Sequence, residues 1–178
     1  MLILFVNATL AWTHGWDTAM DAQFIDFGYS IISDDQAKFV AENYKIVSLE
    51  KCTGNPTEEG IKTVASKLKG FNPDIKVLFY ISAMNDGLNC YAAYNEFMAH
   101  PEWWLNTTAG ATIYSTSYPT IPIADFRVAA FRDWWVTIPY AGINQPNIDG
   151  VFVDHTADAC PKGLLYVEPD CTEWTAGK

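Results

Sequence analysis

Asp154 closes the apolar run Val151-Phe-Val153 and is followed at once by His155. A β-branched and aromatic run behind Gly150 has the pattern of a strand buried on both faces of a parallel sheet. The carboxyl ends of such strands are where parallel α/β folds keep their chemistry, because the loops there vary while the strands hold side chains rigidly. A carboxylate in that place can serve as nucleophile or base, and His155 can hydrogen-bond to it or to a ligand. The plainer use of Asp154 is to cap the following loop by accepting backbone N–H groups. Glu50 ends the run Lys45-Ile-Val-Ser-Leu49 in the same way, so a second carboxylate is delivered near a strand end. Its neighbour Lys51 gives Glu50 another reading, half of a local ion pair. Asp26, in Phe24-Ile-Asp-Phe-Gly28, is a third such acid, although that context also suits a turn.

Other chemistries lack their residues. His14 and His100 stand alone, Gly-x-Ser-x-Gly is absent, and neither a dinucleotide fingerprint nor a P-loop occurs, so no cofactor is expected. Cys52, Cys90, Cys160 and Cys171 show no CxxC spacing and there are three histidines, which leaves no metal site to expect. Disulfides are the better reading. Four cysteines allow three pairings, and the sequence does not choose among them. One arrangement joins Cys52 to Cys90 across the loops after two successive strands and closes a local loop with Cys160 and Cys171. Two sequons, Asn7-Ala-Thr9 and Asn106-Thr-Thr108, agree with an extracellular, N-glycosylated chain, Asn106 being the candidate glycosylation site.

The elements that must position these groups follow the periodicities. Ala22 to Tyr29 reads as a short strand ending near Asp26. Ser33-Asp-Asp-Gln36 is a capping box that opens a helix through Glu42. After the strand ending at Glu50, Pro56-Thr-Glu-Glu59 starts a second helix with Ile61, Val64, Ala65 and Leu68 on one face, stopped by Gly70 and Pro73. Ile75 to Ile81 makes the next strand, and the alternation of strand and helix calls for parallel pairing. Tyr91, Tyr94, Phe97 and Met98 mark a third helix, and Glu102-Trp-Trp-Leu105 through Gly110 reads as an irregular excursion. A fourth helix carries Phe131, Trp134, Trp135 and Ile138 on one face, with Asp125 as its N-cap.

At 178 residues the chain has room for one sizeable core. The division expected is an N-terminal segment, 1–21, and a single β/α domain, 22–178. The opening Met1-Leu-Ile-Leu-Phe-Val6 is either a signal remnant or a first strand. No run approaches the roughly 18 apolar residues of a membrane span. A net charge of −10 without a basic cluster repels phosphate backbones and anionic lipid, so neither nucleic acid nor membrane is an expected partner. Hydrophobic residues make up 49% and aromatics 15%, seven of them Trp, so the fold is organised around aromatic rings.

Four passages together resemble the (β/α)-barrel glycoside-hydrolase-like proteins, a group with many uncharacterised secreted members. They are Ile46-Val-Ser-Leu-Glu50; Lys76-Val-Leu-Phe-Tyr80; Pro101-Glu-Trp-Trp-Leu105 with Ile123-Ala-Asp-Phe-Arg127 and Arg132-Asp-Trp-Trp135; and Asp149-Gly-Val-Phe-Val-Asp154. The resemblance covers roughly Gln23 to Asp158. It implies an α/β fold of parallel β/α units, partial or truncated relative to a TIM barrel, and a retaining or inverting carbohydrase with Asp154 as nucleophile or base. Such hydrolysis needs two carboxyl groups, about 5 Å apart for retention and roughly 6.5–9.5 Å for inversion, and Glu50 is the partner available to Asp154. Asp26, Tyr80 and His155 are then candidates to touch the sugar. Tyr80, Tyr118 and the tryptophans offer apolar rings for pyranose faces. Trp103 and Trp104, read as loop residues, are better placed for this than Trp134 and Trp135, which share a helical face with Phe131 and Ile138.

Four strand–helix units make half of a barrel whose usual length is about 250 residues. A half-barrel leaves a sheet edge to be covered, so a homo-oligomer or filament that completes it is the association to expect. Two other functions fit the same residues: a non-catalytic extracellular glycoprotein with a structural or self-assembly role, and a carbohydrate-binding module.

Overall fold

The computed structural model describes residues 2–4, 22–25, 30–54, 58–83, 90–114 and 119–155. Asn7, Asp26, Tyr118, Cys160 and Cys171 lie outside these residues. The element order is β1 (Leu2–Leu4), β2 (Ala22–Ile25), α1 (Asp34–Asn43), β3 (Ile46–Leu49), α2 (Glu59–Phe71), β4 (Lys76–Ser82), α3 (Tyr94–Ala99), α4 (Ala129–Trp135), α5 (Thr137–Ile143) and β5 (Gly150–Asp154). A single 3₁₀ turn, Pro101–Trp103, follows α3.

The strands form one sheet in the order β1-β5-β4-β3-β2. β2 through β5 run parallel, as the strand–helix alternation predicts, and β1 joins β5 antiparallel. The α/β class with parallel units is therefore the observed one, and residues 2–4 of the opening segment have strand backbone.

The two faces of the sheet differ sharply. Val47, Leu49, Val77, Phe79, Ile81, Val151 and Val153 join one core cluster with Ala37, Val40 and Ala41 of α1, Ile61, Val64, Ala65 and Leu68 of α2, and Ile138 of α5. Because strand side chains alternate, Ser48, Leu78, Tyr80, Ser82, Phe152 and Asp154 are left for the opposite face. Local signals explain why the helices stand where they do. Ser33 accepts the Gln36 N–H at 3.2 Å while the Gln36 side chain accepts the Ser33 N–H at 2.9 Å, the full capping box of α1. In α2 the four residues predicted to share a face are all buried.

Two expectations are corrected. The helix predicted through Phe131 and Ile138 is divided into α4 and α5, because Pro139 has no N–H to offer the carbonyl of Trp135 and its ring crowds that turn. The N-cap of α4 is Val128 rather than Asp125. Asp125 turns instead to Arg127, accepting its backbone N–H at 2.9 Å and taking the guanidinium Nε at 2.9 Å and Nη2 at 2.8 Å.

The excursion between the 3₁₀ turn and α4 has more order than its sequence suggests. Bridges join Trp104 to Ala124, Asn106 to Thr112 and Tyr114 to Pro122. The N–H of Leu105 bonds Ile123 O, that of Ile113 bonds Leu105 O, and that of Ile123 bonds Ile113 O, so three segments pair in a closed round. Leu105, Ile113 and Ile123 fill its middle as a small separate cluster.

At the amino end of the sheet, Asp149 ties β5 to β4. Its N–H bonds Val77 O at 2.8 Å, and its Oδ2 accepts the Val77 N–H at 2.9 Å and the Lys69 ammonium at 2.7 Å. The helix α5 approaches β4 so closely that a Cβ on Gly142 would lie 2.7 Å from carbons of the Phe79 ring. Gly142→Ala ought to raise helix propensity by about 1 kcal/mol, yet the added methyl would run into the ring of the buried Phe79. Overpacking of this kind costs about 1–3 kcal/mol, so urea denaturation should show a net loss of stability. An unchanged or higher midpoint would mean that the ring yields freely.

Candidate functional site

The face opposite the helices gathers its polar groups at the carboxyl ends of β3, β4 and β5. Parallel pairing sets Tyr80 beside Phe152 and Ser82 beside Asp154. Tyr80 and Phe152 stack with centroids 5.9 Å apart. The Tyr80 hydroxyl reaches two residues along and donates to Asp154 Oδ2 at 2.8 Å. Oδ1 of Asp154 accepts the backbone N–H of His155 at 2.7 Å. His155 adopts a left-handed φ of 54°, which turns the chain sharply just past the strand. Its Nδ1 lies 3.1 Å from Ser82 Oγ and 3.6 Å from Asp154 Oδ2. Both carboxylate oxygens of Asp154 thus have a fixed donor, and the group is still open to solvent.

Glu50 sits in a different environment. Its side chain is 8% exposed, against 41% for Asp154. Lys51 forms an ion pair with Glu50 Oε1, as the adjacency of the two residues allowed. The same ammonium stands 4.8 Å from the centroid of the Tyr80 ring. A continuous set of contacts therefore runs from Glu50 through Lys51 and Tyr80 to Asp154. Beside it, the hydroxyls of Ser48 and Thr53 are buried with no hydrogen-bond partner among the described residues.

The disulfide Cys52–Cys90 is formed, with Cα atoms 4.9 Å apart. It joins the turn after β3 to the segment before α3, the bridge across successive loops that the sequence permits. Cys52 has a φ of 65°, so it too bends the chain in the left-handed region.

The aromatic candidates fall into two groups. Tyr80 is 2% exposed, and its hydroxyl serves Asp154, so its ring is a packed element under the site. Trp103 lies in the 3₁₀ turn and is 6% exposed, packed with Phe97, Phe131 and Trp134, which corrects its reading as an open loop residue. Trp104 is half-buried, and its Nε1 donates to Phe97 O at 3.1 Å. Both tryptophans belong to the cluster around Phe97 and Phe131 rather than to the rim around Asp154. Asn106 donates its amide to Trp104 O at 3.1 Å, while Thr108 of the same sequon is exposed. The contact of Ser82 with His155 and that of Lys51 with the Tyr80 ring are not legible in any one segment, since both depend on which strands become neighbours.

His100 stacks on Trp103 with centroids 4.0 Å apart and donates from Nδ1 to Glu102 Oε1 at 2.6 Å. That hydrogen bond, helped by the Glu102 N–H and the charge of His100, holds the Glu102 carboxyl below its ordinary range. A depressed carboxyl pKa stabilises the fold above the ordinary Glu value and ceases to do so as pH falls through the folded one. His100→Gln is expected to move the Glu102 midpoint upward in a ¹³C NMR titration. An unmoved midpoint would show that the imidazole is not the cause.

On the helix side, a groove of about 310 Å³ is lined by Glu58, Phe79, Trp134, Ile138 and Gln145 among others. Phe79 points away from Asp154 by strand alternation, so this groove is separate from the carboxylate rim, and Glu58 accepts the Ala92 N–H at 3.0 Å within it.

A family model described as hypothetical glycosyl hydrolase family 15 matches residues 69–172. No curated protein matches the chain significantly. Among solved structures, a noncanonic maltogenic α-amylase AmyB from Thermotoga neapolitana is 12% identical, with a TM-score of 0.48, over 74% of this chain and 37% of its own. The glucosidase II α subunit is 15% identical, with a TM-score of 0.48, over 75% of this chain and 16% of its own. The chain thus spans well under half the length of either structure.

Proposed function

We infer, from the premise that this chain belongs to hypothetical glycosyl hydrolase family 15, that it acts on carbohydrate at the rim formed by the ends of β3, β4 and β5. The observation that carries this reading is Asp154, a solvent-open carboxylate held by donors on both oxygens at the end of a parallel strand. Asp154 is the acting carboxylate, nucleophile or base. Glu50, buried and paired with Lys51, is the second carboxyl group of the rim. His155, exposed beside Asp154, is positioned to meet a sugar hydroxyl. The family membership supports carbohydrate as the substrate class, and the Cys52–Cys90 disulfide supports secretion into an oxidising compartment, with glycan carried on Asn106.

The test is a panel of oligosaccharides and aryl glycosides offered to the purified chain, with reducing-end release and calorimetric binding measured side by side. Hydrolysis of a panel member is expected. Binding without release would make the protein a carbohydrate-binding module, and neither would remove carbohydrate from the account. β2, which pairs with β3 at the end of the sheet, supports a second role in association between copies. Light scattering that gives a monomer at all working concentrations would end that second role.

A further inference from the structure

We propose that the Cys52–Cys90 disulfide is a positioning clamp for Asp154, acting through Tyr80. This rests on the reading of Asp154 as the acting carboxylate. The Tyr80 hydroxyl donates to Asp154 Oδ2 at 2.8 Å. Besides the stacked Phe152, Tyr80 is held by two residues that each adjoin a half-cystine. Lys51, next to Cys52, places its ammonium 4.8 Å from the Tyr80 ring centroid while it pairs with Glu50. Tyr91, next to Cys90, donates its hydroxyl to the Tyr80 carbonyl at 2.7 Å. Tyr91 is itself fixed, buried and edge-on to Phe79 with centroids 6.0 Å apart.

The disulfide therefore joins the two segments that grip one phenol, one at its ring and one at its backbone. Without the crosslink, the turn after β3 and the segment before α3 are no longer tied to each other, and the grips of Lys51 and Tyr91 on Tyr80 lose their common anchor. Reacting groups must be held to a fraction of an ångström, and a displacement of about 1 Å can cost about 100-fold in rate. The oxidised pair keeps Tyr80, and hence Asp154, in working geometry. Reduction by a dithiol delivers two electrons to the pair. Each cysteine sulfur takes up a proton, and the two sulfurs of the reductant become joined.

The test uses the intact chain and two readouts. The first needs no substrate: the side-chain carboxyl ¹³C resonance of Asp154 in Asp-labelled protein, assigned by its loss in Asp154→Asn. It is expected to move and broaden on reduction with dithiothreitol, in Tyr80→Phe, and in Tyr91→Phe, which leaves the disulfide intact and so covers the case in which the reduced chain unfolds. A line unmoved in Tyr91→Phe and in folded, reduced protein overturns the proposal. The second readout is turnover of whichever panel glycoside the wild type cleaves. Tyr80→Phe and Tyr91→Phe are expected to lower kcat by about 10-fold to 100-fold with KM within about twofold. A rise in KM alone would make Tyr80 a sugar contact and overturn the positioning role. If Asp154→Asn retains full turnover, the catalytic reading fails, and the carboxyl resonance still decides the clamp.

Discussion

Asp154→Asn is expected to lower turnover of a cleaved glycoside by about 10⁴-fold or more, the scale on which removal of an acting carboxylate is felt. The substitution is close to isosteric, so the loss should come without a change of fold. The amide oxygen can keep one of the two donors that now face Asp154, the Tyr80 hydroxyl or the His155 N–H. If the amide nitrogen faces Tyr80, the phenol can rotate to accept from it, because a tyrosine hydroxyl both donates and accepts. With the side chain 41% exposed, the thermal midpoint should stay near that of the wild type. What the amide cannot do is attack a sugar carbon or take a proton from water. Wild-type kcat in Asp154→Asn would remove Asp154 from the chemistry, whatever else binds there.

The largest expected effect on stability is at the crosslink. Replacing both Cys52 and Cys90 by Ser reopens a loop whose ends are 38 residues apart. The chain-entropy model gives such a loop about 4 kcal/mol, at the upper end of the usual range of about 2–4 kcal/mol. Against this stands the left-handed backbone of Cys52, which costs about 1–2 kcal/mol and persists in the serine variant. The strain therefore cancels from the comparison, and the crosslink term remains. In a chain of 178 residues each kcal/mol shifts the midpoint by about 2–4 °C, so a fall of about 10 °C is expected by calorimetry. A midpoint within a degree or so of the wild type would mean that the loop is already restrained without its sulfur bridge.

Local grammar was legible where one short segment decides the outcome. The Ser33 box begins α1, the stripe from Ile61 to Leu68 faces the sheet, and Glu50 and Asp154 stand at the ends of parallel strands. The Cys52–Cys90 pairing could be entertained for the same reason, since each cysteine follows a recognisable strand. The division at Val136 was written in Pro139, but the surrounding aromatic periodicity masked it. Trp103 was misread because burial depends on partners from α3 and α4 that its own segment does not announce. Asp125 has the residue type of a cap, yet Arg127 offers it several donors at once and wins it. The contact of Tyr80 with Asp154 spans 74 positions and requires that β4 and β5 be neighbours in one alignment, which no local pattern encodes.

That alignment has a guard at the far end of the strand. Asp149 grips the Val77 N–H and Lys69 before β5 has begun. Were β5 to slip by a single residue along β4, every side chain on it would change sides. The carboxyl group of Asp154 would then be driven among Val47, Phe79 and Ile81, and Val153 would be pushed out onto the opposite face. A carboxylate at the bottom of the sheet thus decides which way the one at the top looks.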